Sequence, residues 1–198
     1  ILALRSPTNV KKVRQKLRAA RKALSAQERE KKSILILQHL SGYLPFRRAK
    51  KLAAYWATDE EVATSNTIEY ANRVGKAVYL PVIIKARCGN ETMHFHRYIP
   101  GKTALTLNSF GIAEPEYQCT SSTPSGVVDL ILVPLVGFNQ NRDRIGMGGG
   151  YYDRTLSNFD IRSTNFVGLA FACQKAEFDP MPHDVRLHAI ITEDGIVT

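Results

Sequence analysis

The 198-residue sequence predicts an α/β fold: one three-layer α/β/α domain over residues 10–198, with a mostly parallel central sheet. Three observations point there. Amphipathic helical stretches alternate with short apolar runs. The run at 127–136 is almost continuously apolar, as a strand covered on both faces must be. No repeat, low-complexity tract or long Pro/Gly linker divides the chain.

Each element follows in order. Val13, Leu17, Ala20 and Leu24 recur at helical spacing among Lys and Arg, giving a first amphipathic helix. Ser25 with Glu28 three residues on is a capping-box pattern, opening a second helix through Ile34, Leu37 and Leu40. Gly42 and Pro45 stop it. Residues 51–57 read as a buried strand, with Asp129 expected to cap or orient the strand that it precedes. Thr64 or Ser65 caps a helix through Ile68 and Val74, closed by Gly75, and 77–84 is the next strand. Cys88-Gly89-Asn90 is turn chemistry, and 91–99 alternates like a hairpin partner. Residues 100–125 read as irregular. After the 127–136 strand come a glycine-rich loop, a short helix over 151–158, and strands at 166–172 and 189–192.

Charge and composition narrow the function. The net charge of +9, concentrated between residues 11 and 32, implies an anionic partner: nucleic acid, a polyanionic small molecule or a membrane surface. No apolar run approaches the ~20 residues of a spanning helix, and the N-terminus lacks a secretory h-region. Residues 1–9 read as an N-terminal extension or appended end without function. Cys88, Cys119 and Cys173, odd in number and widely spaced, fit reduced thiols in a cytoplasmic protein rather than a disulfide framework or a zinc site. His94 and His96 share one side of their strand but have no third ligand nearby, so they read as polar surface.

The chemistry is concentrated in residues 129–156, DLILVPLVGFNQNRDRIGMGGGYYDRTL. A buried strand leads to a polar turn, then Gly146, Gly148, Gly149 and Gly150, then a helix start. Glycines let backbone N–H groups converge on an anion, and the helix adds its free N–H groups. Arg144 can pair with a phosphate, and Asp153 is a hard carboxylate suited to Mg²⁺. The loop is neither a Walker A motif nor an N-terminal GxGxxG fingerprint. A ligand would sit beyond the carboxyl ends of the strands, where this segment lies.

The run Arg144-Ile145-Gly146-Met147-Gly148-Gly149-Gly150-Tyr151-Tyr152-Asp153 resembles the signature of the 5-formyltetrahydrofolate cyclo-ligase family, R-x-G-x-G-x-G-[YF]-Y-D after a P-L-V-x-F strand end. The basic start, Asp59 to Thr64, Gly75 to Pro81 and Phe110 to Pro115 resemble other family elements in the same order. The resemblance implies conversion of 5-formyltetrahydrofolate and ATP to 5,10-methenyltetrahydrofolate, ADP and phosphate, with Mg²⁺. It implies ATP contacts from Lys11, Lys12, Arg14, Arg144, Gly146, Met147, Gly148, Gly149, Gly150, Tyr151 and Tyr152. Arg144 and Tyr151 are the catalytic candidates, Trp56 and Glu61 the folate contacts, and Asp153 and Asp184 the metal ligands. The family's lysine four positions before Arg14 is Val10 here, which leaves open whether Lys11 or Lys12 reaches ATP. Met147 and Gly149 stand where some members carry Arg or Lys, placing more of the charge neutralisation on Arg144, the basic helix and Mg²⁺. Tyr151 and Tyr152 can each stack on ligand or pack under the loop. In the mechanism implied, the formyl oxygen attacks the γ-phosphorus and N10 then closes the ring as phosphate leaves. A monomer acting on ATP and a reduced folate, without nucleic acid or membrane, is the expectation. Two rivals are a paralogue using the same loop on another carbonyl compound and a basic RNA-binding module, which would show aromatic-basic RNP signatures absent here.

Overall fold

The computed structural model describes residues 7–85, 89, 91–116, 128–181 and 183–198. The expected turn at Cys88-Gly89-Asn90, Cys119 and most of the N-terminal extension lie outside the described residues. In chain order the elements are α1 (Pro7–Lys22), α2 (Ala26–Gly42), α3 (Leu44–Arg48), β1 (Lys51–Ala53), α4 (Ser65–Arg73), β2 (Ala77–Lys85), β3 (Glu91–Tyr98), β4 (Leu105–Leu107) and β5 (Ala113–Pro115). They continue as β6 (Leu130–Pro134), β7 (Gly137–Phe138), β8 (Arg144–Ile145), α5 (Tyr151–Leu156), β9 (Asn165–Leu169), a 3-10 turn at Ala172–Gln174, β10 (Ala189–Thr192) and β11 (Gly195–Val197).

Seven strands form the central sheet in the order β11-β10-β9-β6-β1-β2-β3. The inner strands pair in parallel, and β3 and β11 close the two edges antiparallel. A mostly parallel sheet with flanking helices is the predicted α/β class. Two apolar clusters follow from it. One gathers Ile36, Leu40, Leu52, Ile68, Leu80, Leu132 and Phe171, and the other Ile131, Val133, Phe95, Leu156, Phe166 and Ile190. β6 contributes Leu130 and Leu132 to the first and Ile131 and Val133 to the second, the alternation expected of a strand buried on both faces.

The local signals act as their chemistry requires. Ser25 accepts from the Glu28 N–H at 3.2 Å while the Glu28 carboxylate accepts from the Ser25 N–H at 2.8 Å, so both halves of the capping box form. Asp129 accepts from the N–H groups of Lys50 and Lys51 at 2.7 and 2.8 Å, which ties β6 to the start of β1.

Several expectations change. The buried stretch 51–57 pairs as a strand only through Ala53, because Tyr55 turns away: its hydroxyl donates to Val62 O and its carbonyl accepts from Thr64 Oγ1 at 2.6 Å. The region read as irregular contains the β4–β5 hairpin. The helix after the glycine loop ends at Leu156, not 158. His94 is exposed, but His96 is buried, and burial holds its pKa below the ordinary histidine range, with His94 adding to the effect.

Candidate active site

The chain leaves β1 for β2 on one side of the sheet and leaves β6 for β9 on the other. The crevice beyond the carboxyl ends of β1 and β6 is therefore the topological switch point of the sheet. The ribbon that leads to the glycine loop follows β6 there, and the segment carrying Trp56 and Glu61 follows β1.

From β6 the chain turns through a small ribbon. Gly137 and Phe138 of β7 pair with Ile145 and Arg144 of β8. The turn between them is held by Asn139, whose Oδ1 accepts from the N–H groups of Asn141 and Asp143, both at 3.0 Å. Arg142 takes positive φ at the tip, and its backbone and guanidinium exchange bonds with Leu187. Arg186 adds an ion pair to Asp143 at 2.9 Å. These contacts pin the 184–187 segment against the ribbon.

Arg144 leaves the ribbon inward and is 4% exposed. Its Nη2 donates to Asp153 Oδ1 at 2.6 Å, and its Nε has no protein partner among the described residues. The same Asp153 oxygen accepts from the Val185 N–H at 3.3 Å, which places the Asp184 segment beside Asp153. Asp184 Oδ2 accepts from the Met181 N–H at 2.8 Å. Among the described residues no three His, Cys, Asp or Glu side chains group as metal ligands. Two carboxylates without a complete protein cage suit Mg²⁺, which takes its remaining ligands from water and substrate phosphates.

The glycine loop lies between Arg144 and α5. Gly148 and Gly150 have φ of 103° and 66°, where any side chain strains the backbone. Over the loop lies α1. Arg14 Nε donates to Gly146 O at 2.9 Å, and a Cβ at Gly148 would lie 3.7 Å from its Nη1. Two guanidinium groups thus flank one glycine loop, Arg144 from its own entrance and Arg14 from the N-terminal helix. α5 has six residues, so converging N–H groups and these arginines, more than a helix dipole, supply the positive field. Lys11 and Lys12 are exposed on α1, and Met147 is exposed at the loop tip.

The two tyrosines divide their roles. The Tyr151 hydroxyl donates to Glu91, a bond that holds it protonated above its ordinary range, and its ring lies between Phe110 and Arg154. The Tyr152 ring packs against both core clusters, and its buried hydroxyl has no protein partner among the described residues. Burial raises its pKa strongly, Glu61 adds to the rise and Arg144 opposes it.

Beyond β1, Trp56, Glu61, Thr58, Asp59 and Thr64 line a cavity of about 430 Å³ closed by α2. Trp56 meets Tyr98 edge-on at 6.1 Å, and Glu61 Oε2 accepts from the Thr58 N–H at 3.0 Å. A larger cavity of about 670 Å³ lies between β3 and α5, lined by Glu91, His94, Phe95, Tyr151, Arg154 and Phe159.

Comparisons with known proteins identify the family. The model of the 5-formyltetrahydrofolate cyclo-ligase family matches residues 7–193. The chain belongs to that family. It is 36% identical to the 5-formyltetrahydrofolate cyclo-ligase of Haemophilus influenzae, over 90% of this chain and 95% of that one. It is 34% identical to the Escherichia coli K12 protein of the same name, over 91% and 98%. Among solved structures, the Aquifex aeolicus 5,10-methenyltetrahydrofolate synthetase superposes with a TM-score of 0.80 at 26% identity, covering 94% of this chain and 91% of that chain. The synthetase from Mycoplasma pneumoniae gives 0.73 at 26% identity, over 93% and 99%.

Within this cyclo-ligase fold, Arg14, Arg144, the glycines, Asp153 and the segment carrying Asp184 converge, while Trp56 and Glu61 share a separate cavity. Sequence reading missed the partners that set them: Asn139, Arg142 and Asp143 in the ribbon, Arg186 against it, Glu91 under Tyr151, and Gln174. Gln174 is buried and donates to the carbonyls of Leu135 and Val136 at 2.9 and 3.0 Å. The one available signal was polar residues crowded directly after an apolar strand.

Proposed function

We propose that this chain converts 5-formyltetrahydrofolate and ATP to 5,10-methenyltetrahydrofolate, ADP and phosphate, with Mg²⁺. The observation that carries this reading is the convergence of Arg14 and Arg144 on one glycine loop beside Asp153, with Trp56 and Glu61 lining a separate cavity beyond β1. The loop N–H groups and both arginines would hold the triphosphate. Lys11, one helical turn before Arg14 and on the same side of α1, is the lysine placed to join them; Lys12 faces elsewhere. Asp153 and Asp184 would bind Mg²⁺, which when bound neutralises charge on the phosphate oxygens.

In the folate cavity, Glu61 is suited to accept hydrogen bonds from pteridine N–H groups, and Trp56 offers an aromatic wall. A formamide carbon is a weak electrophile, and its oxygen leaves poorly until phosphorylated. The formyl oxygen attacks the γ-phosphorus and ADP leaves; N10 then attacks the activated carbon and gives up its proton, and phosphate departs as the ring closes. The protein's share is positioning and charge neutralisation. Arg144 neutralises the transferred group. Among the described residues the buried Tyr152 hydroxyl has no protein partner, whereas Glu91 engages that of Tyr151.

The test is incubation with ATP, Mg²⁺ and substrate labelled with ¹⁸O in the formyl group. Methenyl absorbance must appear and the label must enter inorganic phosphate. No absorbance overturns the substrate assignment; absorbance with label in water overturns the phosphorylated intermediate.

A further inference from the structure

α1 presents Arg14, Leu17 and Arg21 on one face, at spacings of three and four. Leu17 packs into the cluster of Val136 and Ile145, so the helix is seated at its middle. Arg14 reaches the glycine loop. Arg21, two turns on, is the most buried cation of the chain's described residues, 2% exposed. Its Nη1 donates to Leu135 O at 3.4 Å, immediately past β6, and its Nη2 pairs with Glu60 Oε2 at 3.3 Å, in the loop past β1. One side chain thus bridges the ends of the two strands that define the switch point. Its Nε has no protein partner among the described residues.

Burying a guanidinium with two long bonds and an idle donor is a poor way to gain stability, because desolvation offsets the attraction. An apolar side chain would seat the helix as well. What the arginine adds is a link between elements serving different ligands. Glu60 adjoins Glu61 of the folate cavity, and α1 carries the residue on the nucleotide loop.

We propose that Arg21 is a positioning residue that couples the two half-sites: with α1 held on the glycine loop by nucleotide, Arg21 fixes Glu60 and thereby the Glu61 carboxylate. Nucleotide then tightens folate binding, and by linkage folate tightens nucleotide binding by the same factor. This rests on the assignment of nucleotide to the loop and folate to the Trp56–Glu61 cavity.

Trp56 is the only tryptophan of the sequence, so its emission reports on the folate cavity directly. The experiment titrates 5-formyltetrahydrofolate against this emission, with and without a saturating non-hydrolysable ATP analogue and Mg²⁺. For the unmodified protein the analogue is expected to lower the folate Kd by about 10-fold, within the usual range of coupling between sites. In Arg21→Met and in Glu60→Ala the lowering shrinks to under about 2-fold, while the Kd without analogue changes far less. A merely structural role lowers the melting temperature and leaves this ratio intact. If Arg21→Met does not fold, Glu60→Ala carries the test, since Glu60 is 32% exposed in its side chain. Coupling that persists in either folded variant, or is missing in the unmodified protein while both ligands bind, overturns the proposal. Failure of folate to change the emission at all counts against the folate assignment instead.

Discussion

Gly137→Ala tests whether the seating of α1 governs nucleotide use. Gly137 lies on β7 directly beneath the helix, and a Cβ there would lie 2.2 Å from Leu17 Cδ1 and 3.4 Å from Gln174 O. Ordinary carbon contacts are about 3.5–4.0 Å, so the overlap is roughly 1.5 Å. Leu17 is 4% exposed and confined by Val136 and Ile145, which leaves it little room to swing aside, and the helix must lift. Overpacking of this kind costs about 1–3 kcal/mol. For a chain of this size that lowers Tm by roughly 2–12 °C. Lifting α1 also draws Arg14 away from Gly146 O, and a displacement near 1 Å can cost about 100-fold where geometry carries the rate. The expected result is a KM for ATP raised by about 10-fold, at least about five times the change in KM for folate. Leu17→Val withdraws the colliding methyl, so the double variant should be less destabilised than the two single costs added together. Strict additivity, or equal rises in both KM values, would refute the argument that this contact seats the nucleotide helix.

Three further outcomes are expected. Asp153→Asn removes the proposed Mg²⁺ carboxylate and the partner of a buried Arg144 together, so turnover should fall by about 100-fold at limiting Mg²⁺, with partial recovery as Mg²⁺ is raised; insensitivity to Mg²⁺ would dismiss the metal role. Arg144→Met should act chiefly on KM for ATP and on kcat, and Glu61→Gln chiefly on KM for folate; matching defects would undo the separation of the half-sites. Burial depresses the His96 pKa in the folded state, so the unfolded chain takes up the proton first. Stability is full above the ordinary histidine range and declines as pH falls below it, so Tm should drop more between pH 7 and 5 in the unmodified protein than in His96→Gln.

The sheet was legible because burial on both faces leaves a direct trace: β6, β9 and β10 appear as apolar runs, and Ser25 with Glu28 states a helix start in side-chain chemistry. The short elements were not. β4, β5, β7 and β8 have two or three residues each, too few for a pattern to repeat, and pairing makes them strands. β1 was overread because Ala54 and Tyr55 are as buried as strand residues; burial alone does not distinguish a ladder from a loop packed into the core. His96 was misplaced because β3 lies at an edge, where alternation does not say which positions a neighbouring loop will cover.

For the candidate site, the sequence nominated residues suited to an anion and missed those that hold them in place. Gly146 to Asp153 form one local segment, readable without knowing the fold. Arg142 with Leu187, Arg186 with Asp143 and Arg21 with Glu60 are 39 to 45 residues apart, and no local pattern predicts such pairings. Yet α1 did carry a usable trace. Its many exposed lysines and arginines are a solvated face, whereas Arg14 and Arg21 interrupt the stripe that Val10, Val13, Leu17 and Leu24 turn toward the protein. A long cation on a buried stripe must either extend its charge to solvent or find a partner beneath the helix. Both arginines find partners beneath it, Arg14 at Gly146 and Arg21 at Glu60 and Leu135. The charge that interrupts an apolar stripe, rather than the density of charge around it, is what ties this basic helix to the glycine loop of the proposed site.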